Sequence, residues 1–334
     1  MFEPKAVYYE EASLGYPLGK ELIDRYQKMG IPCFVIQSHN NIPEMRSQSN
    51  DQFPAMKKNL IIGIRKSMKY VPNTKTSDFL VPYTSSGCSA MCLYCYLVCH
   101  YNKCAYLRLF VNREQMMDKL LKTANASDKE LTFEIGSNSD LILENTITHN
   151  LEWTIREFAK AQNGLITLPT KFDMVDSLLT LNHQGKTVVR MSVNPESIIK
   201  RIEIGTSSLA NRVKAINQLY QADYKIGILI APVILVDNWK ELYLEMLDFL
   251  REHLDEKAKN GLKIEIILMT YSYIHRMINA EAFPNAPELF DQTLMSARGI
   301  GKYAYKKEIR ADAEQFFIEN IAKYLPTSRI EYIV

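Results

Sequence analysis

The chain has 334 residues, 47% of them hydrophobic, with 40 basic and 38 acidic side chains and a formal net charge of +2. That is enough to bury a sizeable core in one large domain, or in one domain with an extension. A near-neutral balance and a pI of about 8.1 exclude a global field drawing the protein onto nucleic acid, so any such binding needs a local basic face.

The longest apolar run, 226–236, contains Pro232 and falls short of the ~20 residues of a membrane span. No charged-then-apolar leader opens the sequence. The expectation is a soluble protein of a reducing compartment, with no membrane partner.

Residues 1–77 read as an N-terminal α/β extension. Pro17 to Met29 has helical spacing and a glycine stop at Gly30. Residues 31–36 read as a strand, with Cys33 a buried structural thiol. The polar stretch 38–59, punctuated by Asn, Pro and Ser, is expected to be loop. Leu60 to Ile64 is a further strand. It runs into Arg65-Lys66-Ser67-Met68-Lys69, a basic patch that is ordinarily a solvated face and otherwise a phosphate contact.

From Asp78, strand-like runs at 79–83, 131–136, 165–169, 187–193, 225–231 and 262–268 alternate with helical patterns. The helices are expected at 112–124, 147–161, 173–182, 207–222 and 238–256, with Thr146 or Asn150 and Ser207 as N-caps. Strands separated by helices predict right-handed crossovers and a parallel sheet. After 269 the pattern breaks. Residues 270–297 read as irregular, and 299–307 alternates small, basic and aromatic residues. A helix is expected over 311–325, before Pro326, and a closing strand over 329–334.

The stretch that carries chemistry is Ser86-Gly87-Cys88-Ser89-Ala90-Met91-Cys92-Leu93-Tyr94-Cys95-Tyr96. Thiolates spaced C-x3-C-x2-C can wrap one face of an iron–sulfur cube, each ligating one iron and leaving the fourth open to a small molecule. A structural zinc site is the main alternative, since Cys99, His100 or Cys104 would complete a tetrahedron. The matching function would be a zinc-stapled nucleic-acid-binding module without catalysis. A disulfide framework is disfavoured in a chain of this size without a secretory signal. The spacing at a strand-to-loop junction suits the cluster better.

The loop resembles that of the radical S-adenosylmethionine enzymes, in which the aromatic residue before the last cysteine, here Tyr94, packs near the adenine. Such enzymes commonly fold as a partial (β/α)6 barrel of TIM type, with the chemistry at the C-terminal ends of the strands. The fold expected is therefore α/β: an N-terminal α/β extension (1–77), a partial barrel (78–269), and a C-terminal DNA-binding hairpin with a closing helix and strand (270–334).

Further stretches resemble the spore photoproduct lyase family, which repairs a methylene-bridged thymine dimer in spore DNA. They are Tyr16-Pro17-Leu18-Gly19-Lys20-Glu21-Leu22, Ser38-His39-Asn40, Cys95-Tyr96-Leu97, Thr170-Lys171-Phe172, Gly205-Thr206-Ser207 and Ala231-Pro232-Val233. Gly299-Ile300-Gly301-Lys302-Tyr303 and Ile330-Glu331-Tyr332 complete the set, so the likeness covers nearly the whole chain in order.

The resemblance implies a [4Fe-4S] cluster on Cys88, Cys92 and Cys95, and S-adenosyl-L-methionine bound by Ser139, Lys171 and Ser192. A 5′-deoxyadenosyl radical would take hydrogen from C6 of the lesion and release two thymines, with Tyr96 relaying a hydrogen atom. Damaged double-stranded DNA would be engaged by Arg298, Lys302, Tyr303, Tyr305, Lys306 and Lys307. A flavodoxin- or ferredoxin-type electron donor, a monomeric state and the cytoplasm of a spore or germinating cell are implied as well.

Two departures stand out. The family's hydrogen-donor cysteine is matched here by Ser137, whose O–H bond is much stronger than a thiol S–H. The neighbours of Ser137 also differ from the family run, which argues against an isolated engineered change. Cys99 and Cys104 are the substitute donors, and on a helical turn Cys99 would share a face with Cys95. The family's arginine–aromatic pair before the Gly-Ile-Gly-Lys-Tyr run is Ala297-Arg298 here. The base-flipping wedge is then less clear, although Tyr303 and Tyr305 are near, which keeps open a radical enzyme of the same scaffold with another substrate.

Overall fold

The chain divides into two units, and the first comprises Met1–Ser89, Leu97–Leu168 and Asp176–Val188. The computed structural model describes residues 2–99 and 106–334. One sheet of the first unit runs, in spatial order, Cys33–Ile36, Ala6–Glu10, Asn59–Gly63, Leu107–Phe110 and Ser85–Ser86. The first four are parallel and the last is antiparallel to its neighbour.

Helix Pro17–Lys28 starts with proline in its first turn. It buries Leu18, Leu22, Ile23 and Tyr26 with Val7, Leu60, Ile62, Leu107 and Leu109, the stripe expected of an amphipathic helix. Gly19 permits the docking, because a Cβ there would lie 2.0 Å from the Ser13 carbonyl oxygen.

Ser38-His39-Asn40 is also structural. The buried Glu10 carboxylate accepts from the backbone N–H of His39 (3.1 Å) and of Ile64 (2.9 Å), and pairs with the His39 ring at 2.9 Å. Arg65 turns inward: Nε donates to the Tyr83 carbonyl at 2.6 Å, Nη2 to that of Ser85 at 3.2 Å, and the guanidinium lies 3.8 Å from the Phe110 ring centroid. It anchors the run leading to Cys88 and is not a phosphate contact.

The first unit also holds Val71–Pro72, Phe79–Val81, Thr132–Ile135 and, as far as Leu168, Leu165–Thr170 side by side, the last three parallel. The helix expected at 147–161 is two helices, Leu141–Thr148 and Asn150–Phe158, broken at the left-handed His149 (φ 54°). The first starts early because Asp140 caps it, accepting from the N–H groups of Ile142 and Leu143; Thr146 caps nothing. The helix expected at 173–182 is replaced by one 3-10 turn, Asp176–Leu178. Two helical turns, Pro43–Arg46 and Phe53–Met56, interrupt the predicted 38–59 loop. Strands Ala6–Glu10 and Leu107–Phe110 were not among the expected elements, and the second joins the N-terminal sheet from far along the chain.

The second unit comprises Ala90–Tyr96, Pro169–Val175 and Val189–Val334. Strand Thr187–Val193 enters it at Val189 and is followed across the sheet by Lys225–Val233, Lys263–Leu268 and Arg329–Ile333, the last three parallel. Ile228, Leu229 and Ile230 are buried in succession, as in a parallel sheet covered on both faces. Helix Leu209–Gln221 is capped by Ser208, one residue beyond the expected Ser207. Helix Trp239–His253 packs on Lys307–Tyr324 through edge-to-face pairs, Trp239 with Phe316 at 4.8 Å and Tyr243 with Phe317 at 5.2 Å.

The stretch expected to be irregular after residue 269 is largely regular. Strands Thr270–Ser272, Lys302–Tyr305 and Met295–Ala297 form an antiparallel sheet in that order, and helix Tyr273–Ala282 follows the first. The final helix begins at Lys307, earlier than 311. Both units are of the α/β class. Among the described residues no helix is long and apolar enough to cross a membrane.

Candidate active site

In the first unit, strand Ser85–Ser86 ends at Gly87, whose φ of 78° turns the chain into Cys88. Gly87 N–H donates to the Asn138 carbonyl at 2.7 Å, and Gly87 forms a parallel bridge with Ser139. Ser85 Oγ donates to Ser139 Oγ at 2.8 Å. Ser139 therefore stands beside the residue that precedes the first cysteine. Ser137 is half-buried in the turn just before it.

In the second unit, Cys92 lies on the two-residue strand Met91–Cys92, antiparallel to Glu203–Ile204 and directly opposite Glu203. Leu93 N–H donates to the Ile202 carbonyl at 3.0 Å, and Cys95 N–H to that of Cys92 at 3.1 Å. Glu203 accepts from the Tyr94 hydroxyl, from Lys171 Nζ at 2.9 Å, from Asn194 Nδ2 at 2.9 Å and from Arg212 Nη2 at 2.7 Å. Lys171 Nζ also donates to Ser192 Oγ at 2.5 Å and to the Ala231 carbonyl at 2.7 Å, and lies 5.7 Å from the Tyr94 ring centroid. An ammonium has three protons, so this lysine has a partner for each.

Burial works against a charged Glu203, but Lys171 and Arg212 outweigh it and hold the carboxyl well below the usual carboxylate range. Burial, and then the Glu203 carboxylate, push the Tyr94 phenol well above its usual value. Tyr94 therefore remains a protonated donor. Tyr94 and Lys171 are thus gathered on Glu203, the residue that faces Cys92, and Ser192 joins them through Lys171, while Ser139 sits with Gly87 in the first unit.

Sequence reasoning missed Glu203 and Arg212, both with fully buried side chains. Arg212 left a trace: it falls on the apolar stripe of its helix, among Leu209, Val213, Ile216 and Leu219. A charged residue on such a stripe needs a buried partner. Glu203 sits just before Gly205-Thr206-Ser207, with no periodicity to mark it.

Tyr96–Cys99 folds as a 3-10 turn, in which residues three apart eclipse. The turn thus aligns Cys99 with Tyr96 and not with Cys95, correcting the helical expectation. Cys99 is half-buried, and Tyr96 is 48% exposed. His100 and Cys104 lie outside the described residues.

The described part of the loop offers three thiols, Cys88, Cys92 and Cys95. That composition fits an iron–sulfur cluster, where each thiolate takes its own iron.

In the hairpin, Arg298 and Lys302 are exposed, as is Lys307. Tyr303 is half-buried and packs on Phe290 at 4.6 Å. Lys306 Nζ donates to the Thr293 carbonyl at 2.7 Å. Tyr305 is only 5% exposed, and its hydroxyl accepts from Leu235 N–H at 2.9 Å. It belongs to the core, which corrects its expected place among the DNA contacts. At the tip, Ile300 is fully exposed between Gly299 (φ 92°) and Gly301 (φ 63°). Both flanking glycines take left-handed backbone, which a side chain would disfavour.

An α/β chain with a C-x3-C-x2-C loop beside such a polar constellation is an enzyme of the radical S-adenosylmethionine class. The family model described as "Spore photoproduct lyase" matches residues 2–334. The chain is 31% identical over 337 residues to the spore photoproduct lyase of Bacillus subtilis (strain 168), covering 99% of this chain and 98% of that one. It is 29% identical to the enzyme of Geobacillus sp. (strain Y412MC61), with the same coverage. The solved structure of a spore photoproduct lyase complexed with dinucleoside spore photoproduct matches with a TM-score of 0.91 and 28% identity, over 100% of this chain and 99% of that one. A double mutant with bound AdoMet and the same dinucleoside matches equally, with a TM-score of 0.91 and 28% identity. The chain belongs to the spore photoproduct lyase family.

Proposed function

We infer that this chain is a radical S-adenosylmethionine DNA-repair lyase that returns the methylene-bridged thymine dimer to two thymines on a partial-barrel scaffold. The reading is carried by the match over the full length of the family's enzymes. The local support is the Tyr94–Lys171–Ser192–Glu203 constellation opposite Cys92. Cys88, Cys92 and Cys95 would hold the [4Fe-4S] cluster. When bound, the cluster supplies the one electron, drawn from a flavodoxin- or ferredoxin-type donor, that splits S-adenosylmethionine into methionine and a 5′-deoxyadenosyl radical.

The chain's own residues do the positioning. Ser139, Lys171 and Ser192 offer hydrogen bonds to the cofactor's polar groups. Lys171 meets a carboxylate or ribose oxygen by exchanging one of its present partners, while Glu203, itself held by Arg212, keeps its ammonium in place. Tyr94 lends its ring face to the adenine, with its hydroxyl tied to Glu203. Tyr96 is the relay for the hydrogen atom, and Cys99 or Cys104 supplies the one that Ser137 cannot.

Damaged duplex DNA would sit on the hairpin, with Arg298, Lys302 and Lys307 on phosphates. Ile300 takes the part of the wedge, since aliphatic side chains inserted at a base step are an established way to open the stack. The deciding experiment is anaerobic reconstitution, reduction and incubation with DNA containing the spore photoproduct. Restored thymine supports the reading; S-adenosylmethionine cleavage with the lesion intact would assign the scaffold to another substrate.

A further inference from the structure

Helix Tyr273–Ala282 leads out of the hairpin sheet and reaches the cysteine loop through two side chains one turn apart, which share a face. Asn279 Nδ2 donates to the Leu93 carbonyl at 2.8 Å and lies 3.0 Å from the Tyr271 hydroxyl. The buried ring of His275 hydrogen-bonds the backbone of Cys95. Its Nδ1 faces Ser272, accepting from that backbone N–H at 3.1 Å, and Ser272 Oγ caps the helix by accepting from His275 N–H at 3.3 Å. With Nδ1 as acceptor, the neutral ring carries its proton on Nε2, and that nitrogen donates to the Cys95 carbonyl. Tyr271 stacks on the ring at 5.1 Å, nearly parallel. The start of the helix is tied to the hairpin: Tyr273 N–H donates to the Gly301 carbonyl at 3.0 Å, and Ser272 pairs with Lys302.

We propose that His275 and Asn279 are positioning residues for the cluster loop, holding the peptides that follow Leu93 and Cys95 in the orientation a bound cluster needs. A trans peptide carries its N–H opposite its C=O, so fixing these two carbonyls also fixes the N–H groups of Tyr94 and Tyr96. Hydrogen bonding around the cluster sulfurs is one of the protein's levers on cluster stability and potential. The same short helix joins the loop to the hairpin that engages DNA. The proposal rests on the cluster assignment above.

The test uses the full chain, reconstituted anaerobically, as wild type, His275→Ala, His275→Gln, Asn279→Ala and Met277→Ala. Met277 is on the same helix but 38% exposed. The readouts are resistance of the cluster to an iron chelator and the electron paramagnetic resonance spectrum of the reduced cluster, with and without S-adenosylmethionine. Both alanine variants at His275 and Asn279 are expected to lose roughly ten- to a hundredfold in resistance, the scale typical of outer-shell partners, and to shift the spectrum. His275→Gln, whose amide nitrogen replaces Nε2, restores most of both, and Met277→Ala changes neither. Wild-type spectra and resistance in the two alanine variants would overturn the proposal. So would equal losses in Met277→Ala and His275→Gln, which mark general destabilisation. A wild-type chain that takes up no iron overturns the functional reading itself, and this inference with it.

Discussion

Cys92 and Glu203 face each other across a two-residue antiparallel ladder, which sets a fully buried carboxylate beside the middle cysteine of the loop. Its countercharges are Lys171 and Arg212. Removing one partner of a buried ion pair typically costs about 3–5 kcal/mol, because the other charge is left uncompensated. Glu203→Gln should therefore lose stability on that scale in denaturant unfolding of the metal-free chain. Lys171→Met should lose less, since Arg212 remains and the lysine side chain is 20% exposed. A Glu203→Gln chain as stable as wild type would show that the network is not holding the loop.

Iron content tests the cysteine loop. Cys92→Ala should come out of anaerobic reconstitution with little bound iron and no cleavage of S-adenosylmethionine, since an iron without its thiolate leaves the cluster incomplete. Full cleavage by this variant would end the cluster assignment.

DNA binding separates charge from wedge. Each of Arg298, Lys302 and Lys307 changed to Gln should flatten the salt dependence of duplex binding by about 0.9 log units per lost phosphate contact. Ile300→Gly should leave the salt slope alone and reduce preference for lesion-containing over intact duplex. Tyr305→Phe, by contrast, removes a buried hydrogen bond and should cost ~1 kcal/mol of stability with DNA affinity unchanged. If Ile300→Gly keeps full lesion preference, the wedge lies elsewhere.

Product analysis addresses the hydrogen donor. Cys99→Ala and Cys104→Ala, separately and together, should spare S-adenosylmethionine cleavage but divert product toward radical adducts or stall turnover. Clean thymine from the double variant would show that neither thiol is the donor.

Acid titration of stability has a defined sign at Glu10. Burial opposes its charge, but the N–H groups of Ile64 and His39 and the His39 ring outweigh it and lower the carboxyl pKa in the folded chain. A lowered carboxyl contributes stability that is present above the unfolded value of about 4.3 and is lost as pH falls through the folded value. Glu10→Gln should thus cost roughly 1–3 kcal/mol at pH 7, with the gap to wild type closing below about pH 4. A gap that stays constant through that range would place the stabilisation outside the carboxylate.

The parts legible in sequence were those whose signal is local. The barrel-type strands are β-branched apolar runs that no surface segment would carry, and they fall close to where the sequence placed them. The three cysteines are close enough in the chain for their spacing alone to suggest a shared cluster. Helix Pro17–Lys28 had its proline, stripe and glycine stop in view.

Other features depend on partners far away in the chain. Glu203 has its carboxyl pKa held low against burial chiefly by Lys171, thirty-two residues earlier, and Arg212. Tyr305 and Ile300 both read as hairpin residues, yet one is pinned in the core by Leu235 and the other is wholly exposed. Leu107–Phe110 becomes a strand by pairing with Asn59–Gly63. Asn279 finds the Leu93 carbonyl across 186 residues. Local composition sets which backbone shapes are cheap, but the charge state, burial and partner of a side chain are fixed by what the fold packs against it. For these residues, only the tertiary structure could decide.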